Sequence, residues 1–228
     1  MISTFTYFIF DYDGVVVNSE PVFAQFDCEL INACLTKAGH SHKFTPADIR
    51  KLAGMGSQEK LLNAGKIAGI DMRPYTEQYL KARNEKRKTL FIENKIPLGK
   101  NLRQFINHVG KERCALATNK TGPKLETDMK IMGIADLFDI TITTDPLPRK
   151  PAPDIIIKAM EQLNATPDQC VYIGDNKNDM IAAKAAEIKP IGFSINGLDK
   201  ETEQAKLLKD HGALTVIDDH MDLTAYIK

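Results

Sequence analysis

Apolar residues in this chain come in short continuous runs. Phe5 to Phe10, Cys114 to Thr118, Ile140 to Thr144, Cys170 to Ile173 and Ile191 to Ile195 are each dominated by β-branched, aromatic or small apolar side chains. Runs of that length and kind predict buried strands, and Leu214 to Ile217 adds a sixth at an edge. Between them, apolar residues recur at helical spacing over residues 98–110, 123–133, 152–164 and 177–187. Strands that alternate with helices imply crossover connections and a mainly parallel sheet covered on both faces. The predicted class is α/β, a doubly wound parallel sheet.

One interval breaks the alternation. From Ser19 to Phe91 the pattern is helical, with breaks near Gly39, Gly54-Met55-Gly56 and Arg73-Pro74. That length exceeds a single crossover, so it predicts an inserted α-helical subdomain. The expected division is a core of residues 1–17 and 93–228 and a helical insert of residues 18–92, with Ile96-Pro97-Leu98-Gly99 marking the return to the core.

At 228 residues, with 43% hydrophobic and 26% charged residues, the chain can bury a sizeable core. Lysine plus arginine and aspartate plus glutamate balance at 30 each. Neither nucleic acid nor an anionic membrane is therefore expected as a partner, and an anionic substrate must be met locally. No apolar run approaches the roughly 20 residues needed to span a bilayer, and the N-terminus carries no signal-peptide pattern. Cys28, Cys34, Cys114 and Cys170 lack the spacing of a disulfide scaffold, so a reduced, cytoplasmic setting is expected. His40 and His42 sit in a polar loop and read as solvated.

Candidate chemistry collects where the strands end. Phe8-Ile9-Phe10 runs into Asp11-Tyr12-Asp13-Gly14, two acids two residues apart followed by a glycine. That pattern suits a turn after a strand, or a metal-holding pair such as a glycosyltransferase uses; alternatively it supplies a nucleophile and an acid/base in one small volume. Thr118 and Asn119 follow the second run, Lys150-Pro151 lies in the loop after the third, and Gly174-Asp175-Asn176 with Asp179 follows the fourth. In a parallel sheet these ends share one edge, where open α/β folds bind their ligands.

With these four motifs in this order, the chain resembles the haloacid dehalogenase superfamily, in its branch of phosphoglycolate phosphatases and β-phosphoglucomutases. The resemblance covers essentially the whole chain and implies a Rossmann-like core with the insert as a cap over the site. It implies that Asp11 attacks phosphorus to form a phospho-aspartate, and that Asp13 protonates the leaving alcohol and then activates water. It implies Mg²⁺ on the carboxylates of Asp11 and Asp175 and the backbone carbonyl of Asp13, a cofactor suited to oxygen ligands and phosphate. Thr118, Asn119 and Lys150 are then the phosphate-binding residues, and Asp179 stands behind them, orienting Lys150 or a metal-bound water. Read without the resemblance, Thr118 is a helix cap, Lys150 a solvated lysine and Asp179 a helix N-terminal acid.

Two departures stand out. Asn18 occupies a hinge position where many relatives have Asp, and Asn176-Lys177-Asn178 fills the fourth motif; neither removes a catalytic group. Within the cap, Ser57, Gln58 and Lys60 after Gly54 and Gly56 are the expected substrate contacts, the plain alternative being a turn with Ser57 as helix N-cap. Asp13 argues against dehalogenase and phosphonate-cleaving chemistry, and Phe23 lies in the region where mutases carry a histidine. The expectation is a Mg²⁺-dependent phosphatase for a small phosphorylated metabolite, monomeric or weakly dimeric. A sugar phosphomutase is the first alternative and a non-catalytic phospho-ligand binder the second.

Overall fold

The apolar runs fold as one sheet: β1 (Tyr7–Phe10), β2 (Cys114–Ala117), β3 (Ile140–Ile142), β4 (Cys170–Gly174), β5 (Lys189–Phe193) and β6 (Val216–Ile217). All pairings are parallel, in the order β3-β2-β1-β4-β5-β6. The computed structural model describes residues 3–52, 55–93, 96–194 and 203–228. Expected strand residue Ile195 and the Gly54 break lie outside the described residues.

Register does the positioning. Phe10 stands beside Leu116 on one side and Ile173 on the other. The residues after them therefore emerge together at the carboxyl edge. There, Asp11 N–H still donates to Ile173 O at 2.9 Å and Thr118 N–H to Ile142 O at 3.0 Å. The strand order reverses between β1 and β4, the place where a doubly wound sheet opens a crevice. β3 ends two residues before the expected Thr144, because Thr144 N–H turns to Lys120 O at 3.2 Å.

The chain divides into two units, residues 1–18 with 97–228, and residues 19–96. The first also carries α5 (Leu102–Val109), α6 (Gly122–Ile131), α7 (Asp154–Gln162), α8 (Lys177–Ala185) and α9 (Glu203–Asp210). α5 starts four residues late relative to the pattern, because Leu98 is held as an extended bridge to Val17. Two neighbouring backbone bonds support that bridge, Asn18 N–H to Pro97 O at 2.8 Å and Gly99 N–H to Val16 O at 2.9 Å. α9 was not expected; its inward side is only Ala205 and Leu208, too few apolar positions to register as a period. The second unit contains α1 (Glu20–Lys37), α2 (Pro46–Arg50), α3 (Ser57–Ala68) and α4 (Thr76–Ile92) around Ile31, Leu35, Ile49, Leu61 and Tyr79. Cys28 and Cys34 face that core, and all four cysteines are free and buried.

At the sheet's other side His220 is fully buried between Phe10 and Phe193, with ring centroids 5.9 and 4.4 Å away. Its Nδ1 lies 2.9 Å from Lys100 O; since a carbonyl only accepts, Nδ1 carries the proton. Nε2 has no partner among the described residues. Burial pushes the imidazole down to about 4. A depressed histidine gives stability that is complete above the unfolded value of 6.5 and is lost as pH falls toward 4. His220→Phe should remove that dependence. Subtracting its unfolding free energy from wild type across pH 7 to 4 should give a difference that moves by up to about 3 kcal/mol; a flat difference would mean that the ring titrates normally.

Candidate active site

Lys150 is the centre of the strand-end cluster. Its side chain is 1% exposed; Nζ donates to the Tyr172 hydroxyl at 2.7 Å and forms ion pairs with Asp11 Oδ1 at 2.8 Å and Asp179 Oδ1 at 2.6 Å. Burial works against the ammonium's charge, but Asp11 and Asp179 outweigh it and the lysine's pKa is raised. Tyr172 in turn donates to Ala117 O at 2.9 Å, so the hydroxyl ties Lys150 to the end of β2. The loop that carries the lysine is fixed by Asn119: Lys150 N–H donates to Asn119 Oδ1 at 2.8 Å, and Asn119 Nδ2 to Lys150 O at 3.3 Å.

The carboxylates crowd around that one ammonium. Asp11, Asp175 and Asp179 are all buried and offer oxygens within 4.8 Å of one another. Burial above all, with Asp179 and Asp13 adding to it and Lys150 opposing, pushes Asp11 up to about 7. Such a group lacks positive charge, and its oxygen donors suit a hard divalent cation. Asp179 has little to offer one: Oδ2 accepts from the N–H groups of Asp175 and Asn176, both at 3.1 Å, and Oδ1 holds Lys150. It is a helix N-terminal acid and the anchor of Lys150 at once. Asp11 and Asp175 are left as the residues able to hold a metal.

Asp13 stands apart, two residues on, in a turn closed by Val17 N–H to Tyr12 O at 3.0 Å and Gly14 N–H to Val17 O at 2.9 Å. Gly14 has φ +81°, and a methyl group there would overlap the Asp175 carboxylate. A methyl at Gly174 would likewise overlap Asp179. Thr118 is buried at the end of β2 and does not cap α6; its Oγ1 accepts only a long bond from Lys120 N–H at 3.4 Å among the described residues. Asn18 carries a buried Oδ1 with no partner among the described residues.

The cap residues divide. Gln58 is exposed and Ser57 half-buried, while Lys60 is buried and paired with Asp27 at 3.2 Å. Arg83 holds the same aspartate through Nε at 2.7 Å, and the Tyr79 hydroxyl donates to it at 3.2 Å. Ser57 is not the N-cap of α3: Gly56 is, with no side-chain cap bond.

Sequence reasoning missed Tyr172, Lys120 and Asp128. Lys120 Nζ lies 2.7 Å from Asp13 Oδ2 and 3.2 Å from Asp128 Oδ2. The signal was available: Asp128 sits with Leu125 and Met129 on the buried side of α6, an acid at apolar positions that needs a partner. Tyr172 reads as an ordinary strand residue, and nothing in its sequence neighbourhood marks the hydroxyl.

The chain is similar to known proteins over most of its length. The sequence pattern of the family described as haloacid dehalogenase-like hydrolase matches residues 8–193. A phosphoglycolate phosphatase of Colwellia psychrerythraea is 43% identical over 83 residues, 36% of this chain and 37% of that relative. A phosphorylated carbohydrates phosphatase of Thermotoga maritima is 24% identical over 212 residues, 92% of either chain. Among solved structures, a conserved haloacid dehalogenase-like protein of unknown function from Agrobacterium tumefaciens superimposes with a TM-score of 0.80 at 25% identity. That match covers 97% of this chain and 96% of the other.

The tightness around Gly14 is measurable. Gly133 also has positive φ, +62°, but a methyl there meets open space. Gly133→Ala should therefore cost only the backbone strain, about 1–2 kcal/mol. Gly14→Ala must in addition displace Asp175, and urea denaturation should find it less stable by a further 1–3 kcal/mol or so. Equal losses would mean that Asp175 moves aside freely.

Proposed function

The chain belongs to the haloacid dehalogenase-like hydrolase family, and from that premise we propose that it is a Mg²⁺-dependent phosphatase acting through a phospho-aspartate on a small phosphorylated metabolite. The observation that carries the reading is the pairing of buried Lys150 with Asp11 beside Asp175. Three buried carboxylates around one ammonium leave an excess of negative charge, which a divalent cation would offset while it bridges to a phosphate. Asp11 and Asp175, with the Asp13 carbonyl, would hold Mg²⁺, which would neutralise phosphate charge when bound.

In the first half-reaction an Asp11 carboxylate oxygen bonds to phosphorus as the ester P–O bond breaks. Asp13, protonated, gives its proton to the departing oxygen, so that a neutral alcohol leaves. In the second, Asp13 takes a proton from water, whose oxygen bonds to phosphorus. The bond to Asp11 breaks, its electron pair stays on the carboxylate, and phosphate is released. Lys150, with the Thr118 hydroxyl and the Asn119 N–H, positions and neutralises the phosphoryl oxygens. Asp179 and Tyr172 keep Lys150 aimed.

The second unit is the cap in this reading, with Ser57 and Gln58 as its substrate contacts and Lys60 as part of its internal framework. Phosphoglycolate and sugar phosphates are the substrate classes to try first, by the names of the relatives. Free buried cysteines support a reducing, cytoplasmic setting, and no helix among the described residues is long and apolar enough to cross a membrane.

Phosphate release should be measured with Mg²⁺ across two- and three-carbon phospho-acids, pentose and hexose phosphates and nucleotides. One class should stand out, and Asp11→Asn should lose at least roughly 10³-fold on it while melting like wild type. Wild-type turnover in that variant, with deamidation excluded, would sink the nucleophile. EDTA should silence the enzyme and added Mg²⁺ restore it. Activity indifferent to chelation would remove the metal from the mechanism, and isomerisation of a sugar phosphate without release would make it a mutase.

A further inference from the structure

Asp13 sits on a turn and its side chain is 28% exposed, yet one of its oxygens is docked. The docking group, Lys120, is itself nearly enclosed at 9% exposure and supported from three directions. Its Nζ pairs with Asp128 Oδ2 at 3.2 Å, an acid that is 1% exposed in the middle of α6. The same nitrogen lies 5.0 Å from the centroid of the Tyr12 ring. The Lys120 backbone is fixed by Thr144, whose N–H and hydroxyl both donate to Lys120 O, at 3.2 and 3.3 Å. A lysine on four flexible carbons is a poor reference point by itself; this one is held at both ends.

The shorter contact is to Asp13, 2.7 Å against 3.2 Å. Lys120 thus serves the enclosed Asp128 and, more closely, a partly exposed acid on another element. We propose that Lys120, anchored by Asp128, is a positioning residue that holds the Asp13 carboxylate where it takes the proton of the water attacking phospho-Asp11. This rests on the reading of Asp13 as that base. The proton passes from water to Asp13 as the water oxygen bonds to phosphorus and the Asp11–phosphorus bond breaks. Lys120 gains and loses no proton, and acts by fixing where Asp13 rests.

The two half-reactions separate the possibilities. p-Nitrophenyl phosphate needs little acid to expel its leaving group, so its nitrophenolate burst reports attack by Asp11, and the slow phase reports phosphoenzyme hydrolysis. In stopped flow with Mg²⁺, Lys120→Met should keep a burst within about threefold of wild type while phosphoenzyme hydrolysis slows by roughly 10–100-fold, part of what a general base contributes. Asp128→Asn should change the same phase in the same direction, and adding it to Lys120→Met should change little more. Lys120→Arg should recover most of the rate.

Asp13→Asn is the control for the underlying reading. It should accumulate phosphoenzyme more strongly than any of these variants, and loss of the burst instead would remove the acid/base role from Asp13. If Asp13→Asn behaves so, but Lys120→Met loses the burst and hydrolyses phosphoenzyme normally, Lys120 contacts substrate and the inference falls. It falls equally if Lys120→Met leaves both phases at wild-type rate. A retained burst is itself evidence that the variant folds. If Lys120→Met yields no folded protein, Asp128→Asn carries the same test, and a wild-type slow phase there overturns the anchor.

Discussion

Three buried carboxylates, those of Asp11, Asp175 and Asp179, bring oxygens within 4.8 Å of one another, and at that separation away from water their repulsion has to be met by something. Lys150 meets part of it, through ion pairs with Asp11 and Asp179 and a hydrogen bond to the Tyr172 hydroxyl. The remainder shows in Asp11, held near 7 by burial despite the lysine. Most of the surrounding detail follows from keeping this assembly in place: Tyr172 braces the lysine against β2, Asn119 fixes its loop, and two N–H groups at the start of α8 hold Asp179. Removal of any one brace would leave a buried charged group short of a partner.

The helical unit has a charge cluster of its own. There Asp27, the one buried acid of that unit among the described residues, is held by Lys60, Arg83 and the Tyr79 hydroxyl. Arg83 spreads its charge over the faces of Phe23 and Phe26, 5.5 and 5.4 Å from their centroids, which lowers the cost of enclosing it. Tyr79 cannot easily ionise in this setting; burial and Asp27 push its hydroxyl well above the usual phenol range.

Much of this could be read from the chain. Strand runs are short, apolar and separated by helical periods, so the sheet and the shared edge of Asp11, Thr118, Asp175 and the Lys150 loop follow from pattern and parallel pairing. Legibility ends where a side chain's meaning depends on a partner distant in sequence. Lys60 looks like a polar tip next to Gln58 until Asp27 is found 33 residues earlier. Tyr172 is a β-former until its hydroxyl meets Lys150, 22 residues away. Ser57 resembles a cap, but capping depends on the backbone turning one residue sooner, at Gly56. Local chemistry writes elements and edges; long-range pairing decides which polar residue is support and which is exposed to work.

The second unit leaves the core at Asn18 and returns at Pro97, and those two residues are joined by a backbone hydrogen bond of 2.8 Å, with Val17 bridged to Leu98 beside them. From the core's side, everything between is a loop whose ends are already closed. Closure entropy grows only with the logarithm of loop length, about 0.6 kcal/mol per doubling. An insert about twenty times longer than a short turn therefore costs the core only roughly 2–3 kcal/mol more. On the proposed reading, in which the insert contacts substrate, exchanging it at this clasp would change selectivity and leave the strand edge as it is.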